Sequence, residues 1–149
     1  MDNSVQEKIF TTFSSIATSL GYSEVHGRII AALLVNNNPV SLQELSESTG
    51  YSPAAISLSL DLLELVGMIR KIKNAGDRKL YVRLDGDLLE GLRNALLLKL
   101  QKEIITTKFE IEKYTEEDGT DAIQKLKKEL DRLQQYVDEL AKVEIPKRE

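Results

Sequence analysis

The chain has 149 residues, enough for one globular domain with an appended element. Of these residues, 42% are hydrophobic and 30% are charged, which excludes a disordered or collagen-like chain. The lack of cysteine excludes disulfides and thiolate metal sites, and the single histidine, His26, excludes histidine-based triads and multi-histidine metal centres. The composition therefore argues against an enzyme, a metal centre and a bound cofactor.

The sequence indicates a cytoplasmic protein. Its longest apolar run, Ile29 to Val35, has 7 residues, whereas a membrane span needs about 20. Residues 1–8 carry two acidic side chains and no apolar block, so they do not resemble a signal or transit peptide. We therefore expect no membrane partner.

The distribution of charge gives the first indication of function. The net charge is −4, which argues against a protein that is basic all over. Between Met68 and Leu84, however, six lysine and arginine residues stand against one aspartate, Asp77, so that this segment has a net charge of +5. Such a local excess of positive charge suits contact with an anionic partner such as nucleic acid.

Two helices are predicted at the start of the chain. Apolar residues at helical spacing predict the first from about Ser4 to Leu20, and Gly21 ends it. The second runs from Glu24 to Val35, with Ser23 as its N-cap. The small residues Ala31 and Ala32 allow close packing of this helix.

A helix-turn-helix follows. Ser41 to Glu44 form a capping box, which starts a short helix at Leu42 that Thr49 and Gly50 end. Ser52 then caps a second helix, from Pro53 to Val66, with the proline at the first helical position, where its missing N–H is harmless. Two helices joined by a tight glycine-containing turn define the motif.

A β-hairpin comes next. Residues 68–73 and 79–84 alternate apolar and polar side chains, and residues 74–78 between them contain turn-forming types. Gly67, just before the first strand, suits a left-handed C′ position. A helix-turn-helix followed at once by a β-hairpin is the order of a winged helix.

The last third predicts two long helices, from Asp87 to about Asp118 and from about Asp121 to Val143. Both carry apolar residues in a heptad pattern, which must pack either as a hairpin within the chain or against a second subunit, in parallel or antiparallel orientation. We predict a homodimer, in part because a DNA-binding winged helix gains affinity by pairing. The predicted interface residues are Leu97, Leu100, Ile104, Ile111, Leu126, Leu130, Leu133, Val137 and Leu140.

The predicted fold class is thus mainly α with a small β-hairpin: a winged helix-turn-helix domain over residues 1–86 and a C-terminal helical dimerisation region over residues 87–149. Several of its motifs occur in a recognisable order between residues 21 and 84. They are Gly27-Arg28-Ile29, Ser41-Leu42-Gln43-Glu44-Leu45, Ser52 with Ile56-Ser57-Leu58-Ser59-Leu60, Val66-Gly67 and Gly76-Asp77-Arg78-Lys79. This set resembles the GbsR-type branch of the MarR-like winged-helix transcriptional regulators.

The resemblance implies a homodimer that binds operator DNA and regulates transcription. In one respect the chain departs from the family, whose recognition helices usually present Arg, Lys, Asn or Gln. The helix from Pro53 to Val66 has no basic residue and carries Asp61 and Glu64. The sequence does not identify a small-molecule effector.

Helical periodicity divides this helix into two faces. At about 100° per residue, Ile56, Leu60 and Leu63 lie on one side. Ala54, Leu58, Asp61 and Leu65 lie on the other, where Ala54 and Leu58 would meet thymine methyl groups in a DNA groove. The candidate DNA contacts are Ser52, Ala54, Ala55, Ser57, Leu58 and Ser59 on the helix and Lys71, Lys73, Arg78 and Lys79 on the hairpin.

Each candidate also has a structural interpretation. Ser52 serves as an N-cap with or without a phosphate contact, Ser57 is favoured as a small residue between packed helices, and Ser59 and Ala55 flank the exposed face. Basic residues on a hairpin also protect an edge strand from pairing with other chains. The alternative function is a winged helix that binds a protein partner through Leu58, Leu62 and Leu65, without specific DNA binding.

Overall fold

A computed structural model describes residues 2–114 and 120–148 of the chain. These residues are mainly helical and include a small antiparallel sheet. They form two compact units, residues 1–91 and residues 92–149. The predicted fold class, mainly α with a small β-hairpin in a winged helix-turn-helix arrangement, is confirmed.

Helices α1 (Asn3–Ser19) and α2 (Glu24–Leu34) begin the first unit. A glycine brings them together, because a Cβ atom at Gly27 would collide with the backbone carbonyl of Phe13. Ser23 stands at the N-cap of α2, but its hydroxyl makes no capping bond and lies 2.9 Å from Nδ1 of His26. The predicted N-cap position of Ser23 is therefore confirmed, although its side chain does not cap the helix. Burial lowers the pKa of His26.

Helices α3 (Leu42–Thr49) and α4 (Pro53–Leu65) form the helix-turn-helix, close to the predicted bounds. The Oγ of Ser41 accepts from the Glu44 amide at 3.1 Å, and the Oγ of Ser52 accepts from the Ala55 amide at 3.2 Å. Gly50 ends α3 with a φ of +80°, a conformation that favours glycine. Both predicted N-caps are confirmed.

The sheet has three antiparallel strands in the order β1 (Val40–Ser41), β3 (Leu80–Leu84), β2 (Ile69–Lys73). Strands β2 and β3 form the predicted hairpin, with Lys71 opposite Val82. Strand β1 pairs Val40 with Val82 and was not predicted, because two residues are too few to show an alternating pattern.

One core holds the helix-turn-helix and the hairpin together. Its most buried residues, each at most 1% exposed, come from α2, α3, α4, β3 and the residue just before β2; they include Ile29, Leu45, Ile56, Leu60, Val82 and Met68. The buried side of α4 therefore carries the apolar residues that the helical periodicity predicts. Burial of such side chains stabilises the unit by about 1.5–3 kcal/mol each.

Helices α5 (Leu88–Ile111) and α6 (Thr120–Leu140) follow. The Oδ1 of Asp87 accepts from the amides of Leu89 and Glu90 and so caps α5. The predicted ends near Asp118 and Val143 are wrong: α5 stops at Ile111 and α6 at Leu140. Asp118 itself lies outside the described residues.

Within the second unit, the heptad residues of α5 and α6 pack on one another. Leu97, Ile104 and Val137 form a buried cluster, and Leu100 and Leu140 pack against it. Ile111 is also buried, whereas Leu130 is half-buried. Leu126 and Leu133 remain 40% and 39% exposed. A hairpin within the chain therefore accounts for much of the heptad stripe.

Candidate nucleic-acid interface

Helix α4 exposes one face to solvent. Leu58 is 74% exposed and Leu65 is 70% exposed, and Ala54 and Asp61 are exposed beside them. These are the four residues that helical periodicity places opposite the core. The exposed surface is thus apolar and acidic, and it carries no basic side chain from α4 itself.

Three of the small residues on α4 differ in environment from one another. Ser59 is 5% exposed because it lies three residues after Ile56 and so joins the buried stripe. The expectation that Ser59 flanks the exposed face is wrong. Ser57 is exposed, so the expectation that it separates packed helices is also wrong. Ala55 is half-buried at the edge.

The N-terminus of α4 is open to solvent. Ser52 is exposed while its hydroxyl caps the Ala55 amide, so the capping role of this residue is present. The first amides of a helix carry a partial positive charge and suit a phosphate group. This end of α4 can therefore accept a phosphate next to the exposed face of the helix.

The tip of the hairpin is ordered by Asp77. Its amide donates to the Asn74 carbonyl at 3.1 Å, and its Oδ1 accepts from the Lys79 amide at 2.9 Å. The turn also needs the positive φ of Gly76, +79°. These bonds hold Arg78 and Lys79 at a defined place, with both side chains exposed.

The cations of the hairpin fall into two groups. Nε of Arg70 lies 3.7 Å from Oδ2 of Asp85. Nζ of Lys71 pairs with the carboxylates of Asp61 and Glu64 on α4. Within residues 2–114 and 120–148, the other four cations have no carboxylate at ion-pair distance and are exposed; they are Lys73, Arg78, Lys79 and Arg83. The second group is available to bind an anion.

Lys71 connects the hairpin to α4. Its Nζ donates a short hydrogen bond to Oδ1 of Asp61 and lies 3.7 Å from Oε1 of Glu64. The Lys71 amide also donates to Oε2 of Glu64, at 3.4 Å. The hydrogen bond to Asp61 is the main reason that the pKa of Lys71 is raised. The sequence does not predict this connection, because no local pattern relates residues seven and ten positions apart on different elements.

The described part of the chain contains neither a candidate metal site nor a candidate membrane span. No group of three or more metal-ligating side chains occurs there in a geometry suited to a metal ion. No helix in the same residues combines the length and apolar character that a membrane crossing requires.

The order of elements, the sheet and the exposed helix together define a winged helix-turn-helix protein with two C-terminal helices. No protein-family model and no curated protein matches the chain. A solved structure of a transcriptional regulator aligns over 92% of this chain and 96% of its own length, with 21% identity and a TM-score of 0.62. At that identity, the likeness shows the fold.

Other similar structures align less well. A mutant of MepR from S. aureus, bound to an oligodeoxyribonucleotide, has 15% identity and a TM-score of 0.46 over 87% of this chain and 92% of its own. The multiple antibiotic-resistance repressor (MarR) from Listeria monocytogenes has 19% identity and a TM-score of 0.41, over 92% and 87% respectively.

Proposed function

We propose that the chain is a cytoplasmic, homodimeric transcriptional regulator that binds double-stranded DNA. In this proposal α4 enters the major groove and the hairpin contacts the flanking backbone. The observation that carries the proposal is the pairing of an exposed helix-turn-helix face with four exposed hairpin cations that have no carboxylate partner in the described residues. The order of motifs further favours the GbsR-type branch of the MarR-like regulators.

The exposed face of α4 favours particular base contacts. Ala54 and Leu58 suit thymine methyl groups, and the Ser57 hydroxyl suits a base edge or a phosphate. Without arginine or lysine on the helix, the bidentate contact to guanine is not available. We therefore propose that α4 recognises thymine-containing steps, while Lys73, Arg78 and Lys79 bind phosphates.

DNA binding across a salt series tests this function. The purified protein is titrated with duplex DNA from upstream of its own reading frame and with an unrelated duplex. We expect the affinity to fall steeply with salt and to be higher for the upstream duplex, because phosphate contacts release counterions while base contacts discriminate between sequences.

The double variant Arg78→Ala, Lys79→Ala tests the hairpin. It should weaken binding to both duplexes and reduce the slope of log K against log salt by about 1.8 per protomer, since each phosphate contact contributes about 0.9. Lys147→Ala, Arg148→Ala removes the same two residue types from the exposed C-terminal segment and should leave the slope unchanged. Equal slopes for wild type and the hairpin variant would remove Arg78 and Lys79 from the interface.

A second function is favoured by Leu58 and Leu65, whose exposure of 74% and 70% suits a protein partner. In that case the winged helix is an interaction module without specific DNA binding. Failure of the wild-type protein to bind either duplex at low salt would favour this second function.

A further inference from the structure

Lys71 is placed differently from the other lysine on its strand. Its side chain is 25% exposed, and its Nζ reaches Asp61 and Glu64 on α4. Lys73 lies two positions further along β2, on the same face of the strand. It is exposed, and the described residues place no carboxylate at ion-pair distance from it. Lys71 is therefore paired within the protein, whereas Lys73 is available to bind an external anion.

The two partners of Lys71 create a difficulty for a helix that enters a DNA groove. The side chains of Asp61 and Glu64 are 65% and 47% exposed, and α4 carries no positive charge of its own. The major groove is bordered by phosphates, so two uncompensated carboxylates would be repelled from it. Some positive charge near these carboxylates is needed for close approach.

We propose that Lys71 is a positioning residue: its ammonium offsets one of the two negative charges of Asp61 and Glu64 and so allows α4 to approach duplex DNA, and it is not itself a phosphate ligand. The inference rests on the proposed DNA-binding function. It replaces the expectation that all hairpin lysines contact the backbone. Asp61 and Glu64 are then the groups that hold the Lys71 ammonium against α4.

A thermodynamic cycle tests the proposal. Affinity for the upstream duplex is measured at low salt for wild type, Lys71→Met, Asp61→Asn/Glu64→Gln and the triple variant. We expect Lys71→Met to weaken binding about tenfold in the wild-type background, because it exposes two carboxylates to the phosphates. In the Asp61→Asn/Glu64→Gln background it should weaken binding by a clearly smaller factor, since the neutral amides need no counterion and Lys71 then contributes only the general attraction of one cation to DNA.

Lys73→Met is the matched control. It removes the same charge from the same face of β2, and we expect it to weaken binding by the same factor in both backgrounds. It should also reduce the salt slope by about 0.9 per protomer, as the loss of a phosphate contact does. If Lys71→Met weakened DNA binding by the same factor in both backgrounds, as Lys73→Met is expected to do, the proposal would be overturned.

A measurement without DNA separates this inference from the proposed function. The hydrogen bond to Asp61 is the main cause that raises the pKa of Lys71 in the wild-type protein, and an NMR titration would measure this pKa. It should fall towards its ordinary value in Asp61→Asn/Glu64→Gln. An unchanged Lys71 pKa would overturn the inference while leaving DNA binding intact. If the wild-type protein bound neither duplex, the proposed function would fail, and the role of Lys71 in DNA binding would fail with it.

Discussion

Leu58 and Leu60 lie two positions apart on α4 and have opposite environments. Leu58 is 74% exposed, whereas Leu60 is fully buried at 0%. Two residues correspond to a rotation of about 200° around a helix, so one side chain faces solvent and the other faces the core. The pair therefore separates effects on binding from effects on stability.

Alanine at each of these positions should have a different consequence. Leu60→Ala should reduce the free energy of unfolding by about 2–5 kcal/mol, because it leaves a cavity in the core. Leu58→Ala should change the free energy of unfolding by less than about 0.5 kcal/mol. It should nevertheless reduce the preference for the upstream duplex about fivefold. Urea denaturation and DNA titration measure the two quantities. A loss of stability in Leu58→Ala as large as in Leu60→Ala would contradict the assignment of the exposed face.

The sequence predicted some single residues well and others poorly. Periodicity alone placed Ala54, Leu58 and Asp61 on the exposed face, because the rotation per residue is constant along a helix. Periodicity did not predict the burial of Ser59, which lies at the boundary between the two faces of α4. It did not reveal the pairing of Lys71 with Asp61, because that distance depends on how β2 packs beside α4.

At the scale of elements, the serine N-caps show what local sequence determines. Ser23 and Ser52 both precede helices with extended backbone conformation. The hydroxyl of Ser52 accepts from the Ala55 amide, whereas the hydroxyl of Ser23 contacts the His26 ring. The same residue type at the same position therefore stabilises its helix in one case and bonds a side chain in the other.

This difference predicts unequal effects of two matched substitutions. Ser52→Ala should reduce the free energy of unfolding by about 1 kcal/mol, since a helix amide loses its acceptor. Ser23→Ala should reduce it by less, because no capping bond is present to be lost. Urea denaturation of the two variants gives the comparison. Equal losses would show that the Ser52 cap stabilises the protein no more than the contact between Ser23 and His26.

The ends and the smallest elements were the least predictable. The heptad pattern of α5 continues past Ile111 in the sequence, yet the helix stops there. Strand β1 exists only because Val40 and Ser41 pair with Val82 and Tyr81, which are about 40 residues away in the chain. Such pairing depends on partners outside any local window.

At the scale of the whole molecule, part of the heptad stripe of α5 and α6 is buried by packing within the chain. Leu97, Ile104 and Val137 are buried in the second unit without a second copy. Leu126 and Leu133, seven residues apart on α6, remain about two-fifths exposed. We therefore propose that the homodimer uses the exposed part of the α6 stripe, where a partner would complete the burial.

Sedimentation equilibrium tests the dimer. Wild type should show twice the 16.8 kDa mass of one chain, and Leu126→Gln/Leu133→Gln should shift it towards the monomer. Leu58→Gln/Leu65→Gln, which changes two exposed leucines on α4, should leave the mass unchanged. Urea midpoints confirm that both variants are folded. A wild-type mass of one chain would rule out the homodimer.

The sequence by itself determined the order of the helices and the hairpin, the N-caps of α3 and α4 and the two faces of α4. These features depend on local rules: rotation per residue, capping chemistry and the alternation of a strand. Tertiary structure alone decided the addition of β1 to the sheet, the burial of Ser59 and the packing of α5 on α6. It also decided that the Lys71 ammonium pairs with Asp61 and Glu64 instead of being fully exposed to solvent. Each of these depends on distances between residues that are remote in the chain, and only the packed core sets such distances.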